Sequence, residues 1–240
     1  MRLDAYLVET GRYATRSRAA DAVRRGCVRV DGALAAKPGQ KVSAPEIWID
    51  DPAKRYVSRA ALKLVAALDA SGFDPAGRFC LDVGASTGGF TQVLLERGAA
   101  HVVALDVGHD QLAGTLRGDR RVTNMEGLNA RDLASDDLLR TPDAVVSDVS
   151  FISLRLALPP ALALAAPGAW TAMLVKPQFE TGRGGIGKGG VVAPDEGERI
   201  ADELRGWLDE RPGWRSTHLL PSPIAGADGN REWLLCGTKS

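Results

Sequence analysis

Apolar residues in the first part of the chain recur at helical spacing. They do so over residues 3–8 and again over residues 17–23, with Gly11 between the two segments. Ser17 stands where an N-cap starts a helix, and Gly26 stands where a helix ends. The pattern therefore predicts two short helices.

An alternating pattern follows the second predicted helix. The stretch CVRVDGALA alternates apolar and polar residues, and Asp31 and Gly32 supply a tight turn in its middle. This predicts a β-hairpin. Residues 1–46 are expected to form a small α+β domain, and residues 47–57 are expected to be a linker.

Residues 58–240 have a different pattern, in which apolar strands alternate with helical segments. Ser58 is expected to cap a first helix, which Gly72 closes. The predicted strands are RFCLDVG, HVVALDV, AVVSDVSFI, AWTAMLVKP, HLLPSPI and EWLLCGT. Strands of this kind indicate an α/β fold with a mostly parallel sheet covered on both faces. The short connection before the last strand favours an antiparallel final pair.

A glycine-rich turn lies directly between the first of these strands and the next helix. Glycines there let the backbone turn tightly and approach a ligand. The segment predicts a nucleoside-cofactor site at Asp82, Gly84, Ala85, Ser86, Thr87, Gly88, Gly89 and Phe90. The next strand ends in Asp106, which is suited to accept hydrogen bonds from a ribose. Ser86 replaces the middle glycine of a nicotinamide fingerprint, and Asp82 suits the cationic end of S-adenosylmethionine better than a pyrophosphate.

Two alternatives accompany this interpretation. The turn over residues 84–90 is also compatible with an ordinary strand-to-helix connection that binds nothing. A second glycine-rich segment, over residues 182–189, nearly spells a phosphate-binding loop but lacks the Ser or Thr after Lys188. We expect a mobile loop with two basic residues there, near the substrate, and no triphosphate site.

Three polar residues stand at the ends of predicted strands. Asp148 and Lys176 each end a strand, and Glu232 begins the last one. Ligands of open α/β sheets bind outside the carboxyl ends of the strands. Asp148 and Lys176 are therefore expected at the mouth of the cofactor site, and Glu232 joins them if the last strand is antiparallel. On spacing alone, Lys63 is an ordinary solvated helix lysine.

The charge of the chain is unevenly distributed, although its net value is zero. Residues 1–44 carry nine lysines and arginines against four acids, an excess of five that the remaining residues balance. A basic head favours a polyanion partner, and RNA is the partner we expect. The residues expected to contact it are Arg2, Arg12, Arg16, Arg18, Arg24, Arg25, Lys37 and Lys41. A merely solvated charged face is the alternative.

Other classes of protein are disfavoured. The longest apolar run, over residues 154–166, is short and interrupted by an arginine and two prolines, which argues against a membrane span. The N-terminal residues do not resemble a signal peptide. Cys27, Cys80 and Cys236 have no metal-binding spacing and suit free thiols in a reducing cytoplasm.

Five segments, in this order, resemble the TlyA family of ribosomal RNA 2′-O-methyltransferases. They are YVSRAALKL, LDVGASTGGF, SDVSFISL, LVKPQFE and GNREWLL. The resemblance implies an RNA-binding domain of the kind named after ribosomal small-subunit protein four, followed by an FtsJ-like methyltransferase domain with a Rossmann-like fold. It also implies S-adenosylmethionine as the cofactor and ribosomal RNA as the partner.

The same resemblance implies roles for individual residues. It implies a catalytic tetrad at Lys63, Asp148, Lys176 and Glu232, and cofactor contacts from residues 84–90, Asp106 and Asn129. A ribose 2′-hydroxyl is a poor nucleophile at neutral pH, and a lysine desolvated in a cleft can take its proton. Lys176 is expected to be this base, with Asp148 orienting it and offsetting the sulfonium charge. Lys63 and Glu232 are expected to position the hydroxyl.

The expected activity is 2′-O-methylation of a cytidine in ribosomal RNA. The chain is similar in length to the shorter form of the family, which is associated with the large subunit. One alternative is a non-catalytic ribosome-binding or assembly module. A second is a membrane-active haemolysin, because the family has also been labelled haemolysin-like. Methylation of a small molecule or a protein is a third, and it would leave the basic head unexplained.

Overall fold

A computed structural model of the chain describes residues 1–181, 190–226 and 229–240. The chain divides into two compact units, Met1–Arg55 and Tyr56–Ser240. The glycine-rich segment over residues 182–189, for which the sequence predicts a loop, lies outside the described residues.

The first unit contains two helices and a small antiparallel sheet. Its elements are α1 (Leu3–Glu9), α2 (Arg16–Arg24), β1 (Val28–Val30), β2 (Ala33–Leu34) and β3 (Ile47–Ile49). Strand β1 lies between β2 and β3. Asp31 and Gly32 both have positive φ, at 50° and 80°, as a two-residue hairpin turn requires, so the predicted hairpin is confirmed. Leu3, Leu7 and Val23 pack against Val28 in the core of this unit.

Two details of the first unit differ from the expectations. Strand β3 pairs with β1, so residues 47–49 belong to the sheet, although they fall in the expected linker. Helix α2 is capped by Thr15, whose side chain accepts a hydrogen bond from the Arg18 backbone N–H, and not by Ser17. Thr15 has the extended backbone that a capping residue needs, whereas Ser17 is already inside the first turn.

The second unit contains a seven-stranded sheet in the order β6-β5-β4-β7-β8-β10-β9. Its elements are α3 (Ala61–Ser71), β4 (Phe79–Val83), α4 (Gly89–Glu96), β5 (His101–Asp106), α5 (Gly114–Arg117), β6 (Val122–Glu126), β7 (Ala144–Ser147), α6 (Leu154–Ala157), α7 (Pro159–Leu164), β8 (Trp170–Val175), α8 (Pro177–Glu180), α9 (Pro194–Asp209), β9 (Trp214–Pro221) and β10 (Trp233–Lys239). Strands β4 to β8 are parallel, and β10 runs antiparallel to both β8 and β9. The predicted α/β class and antiparallel final pair are therefore confirmed.

Helices cover both faces of this sheet because its central strands are apolar on both sides. On one face, Leu64 of α3 and Leu94 of α4 pack over Cys80. On the other face, Leu162 of α7 and Leu204 of α9 pack over Leu81 and neighbouring strand residues. The order in which the chain adds strands reverses at β4. Strands β5 and β6 lie on one side of it, and β7 and β8 lie on the other. In such folds the ligand crevice lies at this reversal, outside the carboxyl ends of the strands.

Two further details of the second unit were not predicted. Strand β6 lies at the edge of the sheet and all five of its residues are only half-buried, so its sequence carries no strong apolar signal. Helix α3 begins at Ala61, and Ser58 accepts a hydrogen bond from the Ala60 N–H in the turn before it. Gly72 closes this helix with a φ of +71°, as expected.

Among the residues that the structure describes, none of the helices combines the length and the apolar character that a membrane crossing requires.

The cap of α2 can be tested by a matched pair of substitutions. We expect Thr15→Ala to destabilise α2 by about 1 kcal/mol, because the Arg18 N–H loses its acceptor. Ser17→Ala should change stability by less than about 0.5 kcal/mol. Amide hydrogen exchange of the α2 backbone measures both effects, and equal protection in the two variants would contradict a cap at Thr15.

Candidate active site

The glycine-rich turn occupies residues 84–88, between β4 and α4. Gly84 has a φ of +83°, and a Cβ atom added there would lie 3.0 Å from the Val149 backbone. Gly88 has a φ of +94°, and a Cβ atom there would lie 2.3 Å from the Leu116 side chain. Both positions need glycine, since any other residue would combine a strained backbone with a steric overlap. The turn thereby brings its backbone against the segment that follows β7.

A cavity of about 490 Å³, which we call the turn cavity, lies beside this segment. Its polar wall includes Ser86, Asp106, Gln111, Asn129, Asp148 and Ser150, and its apolar wall includes Leu105, Val107, Val149 and Ile152. The Asp106 carboxylate accepts one hydrogen bond from the Ser86 N–H and another from the Gly108 N–H, both at 2.8 Å. These bonds fix the carboxylate and leave further lone pairs on each oxygen. A mixed wall of this kind suits a nucleoside, with the apolar side for a base.

Glu126, at the end of β6, holds the loop that follows β5, which contributes Gln111 to the wall of the turn cavity. Its carboxylate accepts the backbone N–H groups of Gln111 and Leu112, each at 2.8 Å. These bonds, with one from the Asn124 side chain, lower the pKa of Glu126 to about 2. Glu126 was not predicted, because strand β6 has no clear apolar pattern.

Asp82 is fully buried beneath the turn, and it does not line the turn cavity. Its Oδ2 atom accepts a hydrogen bond of 2.7 Å from the Thr91 hydroxyl, which ties β4 to α4. Burial raises the pKa of Asp82 to about 7, against the hydrogen bond from Thr91. The structure therefore gives this expected cofactor residue a position behind the turn, where it supports the turn's shape.

Lys63, Asp148, Lys176 and Glu232 line a second cavity, of about 420 Å³, which we call the lysine cavity. Lys63 lies in the first turn of α3, and its Nζ atom is 2.6 Å from Glu232 Oε2. Lys176 directly follows β8, and its Nζ atom is 2.6 Å from Asp148 Oδ1. Each lysine thus has its own carboxylate partner. The four side chains are almost completely buried, so water screens the pairs little.

The strand register explains how residues from distant parts of the chain meet here. Trp233 of β10 is the partner of Val175 in β8, so Glu232 and Lys176 fall at the same edge of the sheet. Parallel strands β7 and β8 end side by side, which brings Asp148 next to Lys176. Lys63, which spacing alone marks as a solvated lysine, is instead buried against Glu232.

A third cavity, of about 140 Å³, shares lining residues with the other two. The turn residues Ala85, Thr87, Gly89 and Phe90 line it, together with Lys176. Asp148 and Ser150 line all three cavities, so the segment after β7 forms their shared wall. Among the predicted cofactor residues, Gly88 and Asp82 stay outside these walls.

Two contacts hold the segment after β7 against the segment after β8. Phe151 is 90% exposed, has a φ of +66°, and contacts Phe179 with ring centroids 5.0 Å apart. Glu180 accepts hydrogen bonds from the Ser153 hydroxyl at 2.6 Å and from the Leu154 N–H at 2.7 Å. Both segments are among the five that resemble the TlyA family, but no sequence pattern predicts a role for these residues.

The structure exposes five of the eight basic residues expected to bind RNA and partly buries three. The exposed ones are Arg2, Arg16, Arg24, Lys37 and Lys41, and the half-buried ones are Arg12, Arg18 and Arg25. Arg25 pairs with Asp21 at 2.7 Å and with Asp51 at 2.9 Å. Asp51 also accepts a hydrogen bond from the Tyr13 hydroxyl. Arg25 is therefore part of an internal polar network, contrary to the expectation that it stands on the helical surface with the others.

Comparison with known families now assigns the fold of each unit. Residues 56–239 match the family described as FtsJ-like methyltransferase, and residues 1–46 match the S4 domain. This chain belongs to the FtsJ-like methyltransferase family. The assignment confirms the resemblance, the Rossmann-like methyltransferase fold and the RNA-binding class of the N-terminal domain.

Individual relatives cover the chain almost end to end. A Mycobacterium tuberculosis protein named 16S/23S rRNA (cytidine-2′-O)-methyltransferase TlyA is 46% identical over 98% of this chain and 88% of its own length. Hemolysin A of Brachyspira hyodysenteriae is 39% identical over 98% of both chains. A solved haemolysin-named structure from Streptococcus thermophilus has a TM-score of 0.78 and 38% identity, covering 100% of this chain and 88% of the other.

The burial of Asp82 behind the glycine-rich turn predicts a pH dependence of stability. The pKa of Asp82 rises from 3.8 to about 7 on folding, so between these values only the unfolded chain ionises it. Wild-type stability should therefore fall relative to Asp82→Asn as the pH rises through this window, by at most about 4 kcal/mol. Urea unfolding at about pH 4.5 and about pH 7.5 measures the difference. A stability difference that is the same at both pH values would contradict the buried-carboxyl interpretation.

Proposed function

We propose that this protein transfers a methyl group from S-adenosylmethionine to the 2′-hydroxyl of a cytidine ribose in ribosomal RNA. The observation that carries this proposal is the arrangement of two buried lysine–carboxylate pairs in one cavity, of which Lys176 and Asp148 also line the small cavity at the glycine-rich turn. The names of the M. tuberculosis relative and of a 37% identical Campylobacter jejuni relative, 23S rRNA (cytidine-2′-O)-methyltransferase TlyA, support the same reaction.

The residues of the turn cavity fit S-adenosylmethionine. A volume of about 490 Å³ accommodates a nucleoside with its amino-acid arm. Asp106 and Asn129 are the candidates to bind the ribose, and the apolar wall suits the adenine. Asp148, at the shared wall, is the candidate to face the positive sulfonium. S-adenosylmethionine, when bound, supplies an electrophilic methyl group.

The lysine cavity suits the acceptor ribose. Lys176 is the candidate general base, since it lines both this cavity and the small cavity beside the turn. Asp148 holds the Lys176 amino group through the 2.6 Å contact. The Lys63–Glu232 pair is the candidate to position the hydroxyl for in-line attack, which supplies much of the rate in a transfer of this kind.

The S4 domain supports ribosomal RNA as the partner. Its exposed arginines and lysines suit phosphate contacts, which fix the position of a protein on RNA without reading its sequence. The names of the M. tuberculosis and C. jejuni relatives both include 23S rRNA, so the large subunit is the substrate we propose first. A ribosomal substrate also implies action in the cytoplasm.

The proposed reaction is tested directly on ribosomal subunits from a strain that lacks this gene. We expect the wild-type protein with S-adenosylmethionine to produce 2′-O-methylcytidine in large-subunit RNA, detected by nucleoside mass spectrometry. Lys176→Ala should lose at least about 100-fold in rate, as expected for removal of a general base. S-adenosylmethionine affinity, measured by calorimetry, should stay near wild type in this variant.

Two results would contradict the proposal. No methyl gain on either subunit or on free ribosomal RNA, despite S-adenosylmethionine binding, would favour a non-catalytic ribosome-binding module. Dye leakage from liposomes without methylation would favour a membrane-active role, which the haemolysin names of some relatives make the second candidate.

RNA binding by the S4 domain is tested by salt dependence. We expect Arg24→Gln and Lys37→Gln to weaken binding to ribosomal RNA and to lower the slope of log affinity against log salt by about 1 for each lost phosphate contact. Arg205→Gln, which removes an exposed arginine of α9 in the other unit, serves as the matched control. An unchanged slope in the two S4-domain variants would rule out these residues as phosphate contacts.

A further inference from the structure

Ser150 contacts the candidate base directly. The Lys176 Nζ atom donates a hydrogen bond of 2.7 Å to the Ser150 hydroxyl oxygen, in addition to its 2.6 Å contact with Asp148 Oδ1. The Asp148 backbone carbonyl lies farther away, at 3.5 Å from the same nitrogen. Ser150 also lines all three cavities of the site.

The hydrogen bond to Ser150 fixes how the Lys176 amino group is rotated about its bond to Cε. A neutral amine has two N–H groups and one lone pair. Among the described residues, the Lys176 amino group donates a short hydrogen bond to Ser150 Oγ, whereas its 2.6 Å contact with Asp148 Oδ1 is an ion-pair contact without hydrogen-bond geometry. With one N–H group directed at Ser150 Oγ, the lone pair of the neutral amine points away from this oxygen. Without the hydroxyl, the amino group would rotate and the lone pair would have no fixed direction.

The backbone around Ser150 is held in place on both sides. Before it, the Asp148 N–H donates to the Val83 carbonyl at 3.2 Å, at the end of β4. After it, Phe151 has a left-handed backbone with a φ of +66°. Glu180 then holds the next residues through its two short bonds to Ser153 and Leu154. Ser150 is therefore presented to Lys176 by a rigid segment.

We propose that Ser150 is a positioning residue that aims the Lys176 lone pair at the acceptor hydroxyl. This inference rests on the proposed function. In the step it serves, the 2′-oxygen gives its proton to Lys176 Nζ and forms a bond to the methyl carbon. The carbon–sulfur bond breaks, its electron pair stays on sulfur, and the sulfonium becomes a thioether. Ser150 gains and loses no atom in this step.

The kinetic test compares three serine variants of the full chain on ribosomal subunits. We expect Ser150→Ala to lower kcat by about 10-fold or more, because the amino group loses one of its two guides. The KM for RNA and the Kd for S-adenosylmethionine should stay within about twofold, since Ser150 does not hold either in this proposal. Ser150→Thr keeps a hydroxyl and should restore most of kcat. Ser135→Ala, which removes an exposed hydroxyl that lines none of the three cavities, should remain near wild type.

A second readout does not depend on activity. In chains labelled with nitrogen-15 lysine, the side-chain amino signal of Lys176, identified by its loss in Lys176→Arg, should shift in Ser150→Ala and not in Ser135→Ala. An unshifted signal in Ser150→Ala would overturn the inference. Wild-type kcat in Ser150→Ala, equal losses in the alanine and threonine variants, or equal losses at Ser150 and Ser135 would also overturn it. Failure of the proposed function is distinguishable, because it appears as an inactive wild-type protein while the Lys176 signal still reports on Ser150.

Discussion

The burial of four charged side chains at one edge of an otherwise apolar sheet is the constraint on which the site depends. An isolated ion in such surroundings is strongly unfavourable, so each lysine must meet a carboxylate at hydrogen-bond distance. The pairs Lys63–Glu232 and Lys176–Asp148 satisfy this condition, both at 2.6 Å. Pairs of this kind contribute little net stability compared with apolar packing. Their positions are better explained by chemistry, because they put two amino groups of fixed direction into one cavity.

Four separate elements must therefore each have one end at the same place. Strands β7 and β8 are parallel neighbours and deliver Asp148 and Lys176. The antiparallel β10 begins opposite the end of β8 and delivers Glu232. Helix α3 packs on the sheet through Leu64, which holds the adjacent Lys63 over this edge. A shift of β10 by one residue would turn Glu232 to the other face of the sheet and leave Lys63 buried without a partner.

The turn cavity is built mainly by carboxylates that bind backbone N–H groups. Asp106 fixes the turn at Ser86, and Glu126 fixes the loop that follows β5. Asp82 supports the turn from behind through Thr91. The basic residues of the S4 domain differ, because Arg2, Arg16, Arg24, Lys37 and Lys41 are exposed to solvent. The N-terminal unit thus keeps these charges in water, whereas the second unit buries its two lysine–carboxylate pairs.

Local sequence determined much of this protein. The Asp31–Gly32 hairpin, the glycine turn and the buried parallel strands depend on backbone preference and apolar pattern, which neighbouring residues carry. The family resemblance supplied Lys63, whose own surroundings in sequence mark it as solvated. Only the tertiary structure decided that Asp82 lies behind the turn, that Arg25 joins an internal network, that Glu126 braces a loop, and that Ser150 contacts Lys176. Each of these depends on contacts between residues far apart in the chain, or on side-chain direction in an irregular segment. No periodic pattern encodes either one.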